Sequence, residues 1–187
     1  QKKFALNSEI IRAIVKQGGI FTRMQNADEI IKALEMQRHS REGGYFRETF
    51  RSIVKTEATK QRRAGTSILY LLKGMEVSRW HQVRSDEIWM YHAGSTARQV
   101  LLFPDGSWTE RIIGPDILSG EMPQSLIPAW TWQATALTDR SGDSWGLFGA
   151  VVVPGFEYED FKEGAAGDLI LKYPDAEESI RDAGLFI

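Results

Sequence analysis

His81 and Glu87 place an imidazole and a carboxylate six positions apart, on either side of a predicted turn, within GMEVSRWHQVRSDEIWMYHAG, residues 74–94. Histidine changes charge near neutral pH, so such a pair can take a proton from a ligand and stabilise or return it. The same two groups can supply a nitrogen and an oxygen to a divalent metal. Either chemistry suits the mouth of a β-barrel, where a few polar groups converge on a concave, mostly apolar pocket. In the acid–base reading His81 is the general base and Glu87 or Tyr91 returns or stabilises the proton. Arg47 or Arg79 then holds the negative charge of a ligand or a developing enolate.

The rest of the inventory narrows the choices. Only His39, His81 and His92 can contribute imidazole, and there is no cysteine. Disulfides, thiol catalysis, iron–sulfur clusters and cysteine-type zinc sites are excluded, and the cysteine-free composition fits a cytoplasmic protein. A net charge of −2 gives no footing for nucleic acid or an anionic membrane. No apolar run approaches the ~20 residues that span a bilayer. The opening residues, QKKFALNSE, lack the apolar core of a signal peptide.

These groups must be positioned by strands. From Gly43 to Val153 the chain reads as short β-type runs: 45–51, 67–72, 77–83, 87–93, 98–103, 108–113, 124–127, 130–137 and 145–153. Turn chemistry separates several of them, notably Pro104-Asp105-Gly106-Ser107, Gly114-Pro115-Asp116 and Ser141-Gly142-Asp143. Many short strands without long helices between them predict an antiparallel sandwich or barrel. Helices are expected at the ends. Ser8 caps one with Ile10, Ile11, Ile14 and Val15 on its apolar face, and Asn26 with Glu29 opens a second. Two more are expected near residues 167–172 and 175–183. The organisation is a helical extension over residues 1–25 and one domain over residues 26–187.

Strand alternation assigns faces. Glu87, Trp89 and Tyr91 share one face, so an inward Glu87 brings Trp89 and Tyr91 into the cavity and turns His92 away. Tyr45, Arg47 and Thr49 share a face opposite Phe46, Glu48 and Phe50; Arg47 meets either solvent and a carboxylate or a polar interior and an anionic ligand. Trp80, Trp89, Trp130 and Trp132 supply core, with a ring at the mouth able to stack on a sugar. His39 reads as a loop or strand-edge residue. The polar stretch 56–64 reads as a solvated loop, or as a basic lip through Lys60, Arg62 and Arg63. Glu157, Glu159 and Asp160 read as a solvated turn, with Phe156 and Phe161 plugging the barrel.

Six phrases, HSREGGYFRETFRS (39–52), TSILYLL (66–72), SRWHQVRSDEIWMYHAG (78–94), LLFPDG (101–106), IPAWTWQ (127–133) and VVPGFEYEDF (152–161), occur in the order seen in a group of small one-domain cupins, the fifth cupin family. The chain resembles that family from about Asn26 to Phe161. The Glu87-to-Gly94 spacing matches the first cupin signature, but one imidazole of its His-x-His is missing: Val83 or Arg79 stands in its place. In the second signature Trp130 replaces Gly, Gln133 takes the His position and Leu137 replaces Asn. The resemblance implies a cupin barrel, mainly antiparallel β, that is a homodimer and holds a small-molecule ligand.

Within that resemblance three functions stand open. One is a metal-independent isomerase or epimerase of a sugar or organic acid, by analogy with metal-free sugar-epimerase cupins, with Arg47, Arg79, Trp89 and Gln133 binding the substrate. Another is a metal-dependent dioxygenase or isomerase, with His81, Glu87 and Gln133 as ligands. That set falls short of two histidines and a carboxylate and suits manganese or magnesium better than iron. The last is a metabolite-binding module without turnover.

Overall fold

The computed structural model describes residues 26–56 and 62–184; the expected helix at Ser8–Val15, and with it the extension over residues 1–25, lies outside the described residues. Helix α1 (Ala27–Ala33) begins where expected, because the Asn26 side chain accepts the Asp28 N–H at 2.9 Å and satisfies one of the free donors of the first turn. Its apolar side, Ala27 and Ile30, packs on Leu71.

Thirteen strands follow among the described residues. They are β1 (Gln37–Arg38), β2 (Tyr45–Arg51), β3 (Lys55–Thr56), β4 (Arg62–Arg63), β5 (Thr66–Lys73), β6 (Val77–Gln82), β7 (Asp86–Gly94), β8 (Ala97–Leu102), β9 (Trp108–Ile113), β10 (Gln124–Ile127), β11 (Trp132–Leu137), β12 (Trp145–Val153) and β13 (Lys162–Glu163). One sheet runs β1-β2-β5-β12-β7-β10 and faces a second in the order β13-β6-β11-β8-β9; β3 and β4 form a small ribbon. Every strand pair is antiparallel. Of the stretch expected as a loop over residues 56–64, Thr56, Arg62 and Arg63 thus lie in that ribbon.

The inner faces enclose a core of Tyr70, Leu72, Trp89, Leu101, Ile113 and Phe148. Each ring removes a large apolar area from water, so this end of the barrel carries much of the stabilisation. The outer face of the second sheet presents Trp80, Val100, Leu102 and Ala134, which are covered by Leu169 of α2 (Ala166–Lys172), Ile180 of α3 (Glu177–Gly184) and Tyr173 between the two helices. No helix among the described residues is long and apolar enough to cross a membrane.

Two β-bulges decide which polar residues enter the barrel. Against β11, Gln133 pairs with His81 and Thr135 with Ser78, so β6 spends one extra residue between them. Such a bulge resets the alternation, and Ser78 and His81 both point inward although three positions apart. Against β5, Glu48 pairs with Ile68 and Arg51 with Thr66, with a bulge at Thr49 and Phe50. Glu48 and Arg51 therefore both reach the barrel mouth. Gly94 ends β7 at φ +85°, and a Cβ there would lie 2.3 Å from the Trp145 carbonyl oxygen. That close approach is the physical content of the Glu87-to-Gly94 spacing.

Candidate active site in the barrel mouth

His81 is 2% exposed. Its Nδ1 lies 2.7 Å from the Arg79 carbonyl oxygen, which can only accept, so Nδ1 carries the proton and Nε2 keeps its lone pair. Phe161 stacks on the ring at 5.0 Å and 11°. Burial holds this imidazole below its ordinary pKa, against the pull of Glu87. A histidine so placed is neutral at pH 7.

Glu87 faces the same cavity. Trp89 Nε1–H donates to its Oε1 at 2.8 Å and Gln133 Nε2–H to its Oε2 at 2.6 Å. Burial raises its pKa, while His81 and the two donors lower it. Gln133 sits opposite His81 across the strand pair, and its own amide oxygen is buried without a partner among the described residues.

A second imidazole–carboxyl pair stands on the turn before β2. His39 Nδ1 accepts the Glu42 N–H at 2.9 Å, and Nε2 is 4.0 Å from Glu42 Oε2. Ser78 Oγ–H donates to Glu42 Oε1 at 2.6 Å, which the β6 bulge makes possible. Desolvation raises the Glu42 pKa and lowers that of His39. Gly43 at φ +99° and the Tyr70 hydroxyl, which donates to Gly43 O at 2.7 Å, fix this turn.

An open-mouthed cavity lies between the two pairs. Phe46, Ile68, Val83, Val152, Phe156 and Tyr158 supply its apolar wall. At the rim Arg51 binds Glu48 through Nε and Nη2 (2.8–3.1 Å), and Glu157 (3.0 Å) and Phe156 O (3.3 Å) through Nη1. Arg62 pairs with Asp160 and, at 3.3 Å, with Glu159. The acidic cluster after Pro154 is thus a turn with Glu159 in solvent, as expected, that Glu157 and Asp160 also tie to β2 and to the β3–β4 ribbon.

The chain places several expected residues elsewhere. Arg47 turns outward, donates to Leu34 O at 2.9 Å and lies 3.4 Å from Glu35; the guanidinium at the mouth is that of Arg51. Arg79, within the β6 bulge, donates to Arg41 O at 3.2 Å and does not line the cavity. Tyr91 shares the inward face with Phe148, but its hydroxyl donates to Gly94 O at 2.6 Å at the exposed far end of β7. Trp89 lies beneath Glu87 in the core, Trp80 and Trp132 lie under the C-terminal helices, and Trp130 carries Lys162 over its ring. His92 is exposed on the outer face, as alternation requires. His39 and Glu42 were legible only as a His-x-x-Glu pair ahead of Gly43-Gly44, a pattern whose geometry depends on a turn that alternation does not describe.

Residues 28–163 match the family described as Cupin superfamily (DUF985). The chain is a member of that cupin family. Among relatives, it is 32% identical over 146 residues to the uncharacterized protein YML079W of Saccharomyces cerevisiae, covering 71% of this chain and 72% of that one. The crystal structure of protein SO0799 from Shewanella oneidensis is similar with a TM-score of 0.75 at 34% identity, covering 84% of this chain and 96% of that one. A hypothetical protein from Leishmania major gives 0.77 at 28%, covering 84% and 98%.

Cupins can hold a divalent metal where this one has His81 and Glu87, so the donor set matters. No three His, Asp or Glu side chains among the described residues converge as a metal ion requires. Within the expected trio both Glu87 oxygens already accept N–H bonds, and Gln133 adds only a neutral amide oxygen. This set does not fit a resident divalent metal.

Proposed function

We propose that this cupin takes a small polar molecule into the barrel and moves a proton on it without a metal, an isomerisation or epimerisation with His81 Nε2 as the base. The observation that carries the reading is the fixed tautomer: the Arg79 carbonyl holds the Nδ1 proton and leaves the Nε2 lone pair on a ring that lines the cavity. Burial keeps that ring unprotonated at neutral pH, the form a base needs. When it takes a proton, the imidazolium gains the attraction of Glu87. That attraction exists only once the proton has moved, so it favours the transition state over the ground state.

Solvent exchange tests the reading directly. Incubated in D2O with aldoses, ketoses and hydroxy acids, the wild type should incorporate deuterium at the carbon beside the reacting group. His81→Gln should still bind and lose the exchange by about 100-fold or more. Ligand binding by the wild type with no exchange would instead describe a metabolite-binding cupin without turnover.

We also infer a homodimer built on the outer face of the six-stranded sheet. Support comes from the row Leu126–Ile88–Val151, aligned across β10, β7 and β12, which α1 leaves uncovered.

A further inference from the structure

The two cavity histidines are held in opposite tautomers by backbone groups. The Arg79 carbonyl takes the Nδ1 proton of His81, whereas the Glu42 N–H occupies Nδ1 of His39. Neutral His39 must therefore carry its proton on Nε2. That N–H lies 4.0 Å from Glu42 Oε2, too far to be spent on it. Phe161 touches both rings, stacked on His81 and tilted against His39 at 5.8 Å, while Phe46 and Tyr158 hold His39 from its other sides. One cavity thus presents a fixed acceptor and a fixed donor. Its charges point to a ligand class as well. Glu42, Glu48 and Glu87 line it, and among the described residues the only cationic side chain there, Arg51, already serves Glu48, Glu157 and Phe156 O. An anionic ligand would meet carboxylates with no uncommitted guanidinium to offset them.

We infer that His39 is a second catalytic residue, whose Nε2–H donates to the carbonyl oxygen of a neutral polyhydroxylated aldehyde or ketone while His81 removes a proton from the adjacent carbon. The inference rests on the reading of His81 as a base. His81 Nε2 forms its N–H bond with the proton of that C–H. The C–H electron pair becomes the C=C bond of an enolate, and the C=O π pair moves to oxygen, where the His39 N–H meets it. Return of a proton to the carbon regenerates the carbonyl compound in either configuration; no oxidant or second reactant enters. A neutral imidazole donor suits this step, because its hydrogen bond strengthens as charge develops on the oxygen.

Two measurements decide it. Nitrogen-detected NMR of the full chain at pH 7.5 should show His39 as the Nε2–H tautomer and His81 as the Nδ1–H tautomer; His39 protonated on Nδ1 would overturn the inference without any substrate. Deuterium wash-in from D2O is then followed for fructose, mannose and tagatose beside their 6-phosphates and the matching uronates. Exchange should favour the neutral sugars at least about tenfold in kcat/KM. His39→Phe should lower kcat by roughly 100- to 1,000-fold, and His39→Gln, which can still donate an N–H, should recover at least about tenfold of that loss. Equal losses in both variants would make His39 a packing residue and overturn its assignment. Wild-type rates in His39→Phe, with exchange abolished in His81→Gln, would overturn His39 and leave the His81 reading standing. Exchange confined to phosphates or uronates would overturn the neutral class. Absence of exchange from every probe in the wild type would remove both this inference and the His81 reading.

Discussion

Glu42 and Glu87 are carboxyl groups that burial pushes above their ordinary pKa of 4.5, so the folded chain binds their protons more tightly than the unfolded one. The stability they contribute is present below about pH 4.5 and is lost as pH rises through the folded values. His39 and His81, pushed below 6.5 by the same burial, act on the other side: the unfolded chain binds their protons first, so stability falls as pH drops below about 6.5. Glu42→Gln isolates one of these contributions, because the amide oxygen can still accept from Ser78 and no longer titrates. Urea unfolding between pH 4.5 and 8 should give a variant-minus-wild-type difference that grows with pH, by about 1.4 kcal/mol for each unit by which the Glu42 pKa is raised. A difference that stays flat or shrinks would mean that burial does not raise the Glu42 pKa. At this scale the sequence reveals one of the two imidazole–carboxyl pairs that line the cavity. His81 and Glu87 stand out because the chain has few histidines and a recognisable spacing. His39 and Glu42 do not, because their tautomer and burial come from a turn and from Ser78, 36 positions away in the chain.

Turns and bulges carry what simple alternation misses. Period-two reading on β2 separates Arg47 from Phe46 and Glu48, and this much holds. Beyond Glu48 the bulge shifts the phase, exposes Phe50 and brings Arg51 to the mouth. A bulge depends on hydrogen bonds between strands, which no residue type in FRETFRS announces. On β6 the same event puts Ser78 beside Glu42. Gly43 is the third device: at φ +99°, an added Cβ would come 2.4 Å from the Val77 carbonyl oxygen. Gly43→Ala must therefore strain the backbone and push the turn away from β6, at a cost of roughly 1–3 kcal/mol in unfolding free energy. Because Glu42 and His39 ride on that turn, deuterium exchange should fall together with the denaturation midpoint. A variant with unchanged midpoint would show that the turn relaxes freely and does not fix the second imidazole pair.

On the scale of the molecule, the strand runs read from the sequence all appear, most with their ends moved by one or two residues, since apolar alternation and turn chemistry act locally. Coverage of the outer faces is a different matter, because it depends on which elements meet. Helices α2 and α3 cover the second sheet, and α1 covers one side of the first over Leu69, Leu71 and Leu147. The remaining face carries Leu126 at 52% exposure and Val153 at 48%, beside Ile88, Met90 and Val151. A contiguous apolar patch with an edge strand at its border, β10, is a surface that a second copy can bury with two-fold symmetry. Light scattering after gel filtration should then give about twice the 21.2 kDa chain mass. Leu126→Glu should shift the protein toward the monomer, since a carboxylate there would face its own copy or nearby apolar side chains. In the isolated chain the same change is half-exposed and should alter stability by only about 0.5 kcal/mol. A wild type that stays at the monomer mass at micromolar concentration would refute the pairing, and a dimer indifferent to Leu126→Glu would move it to another face.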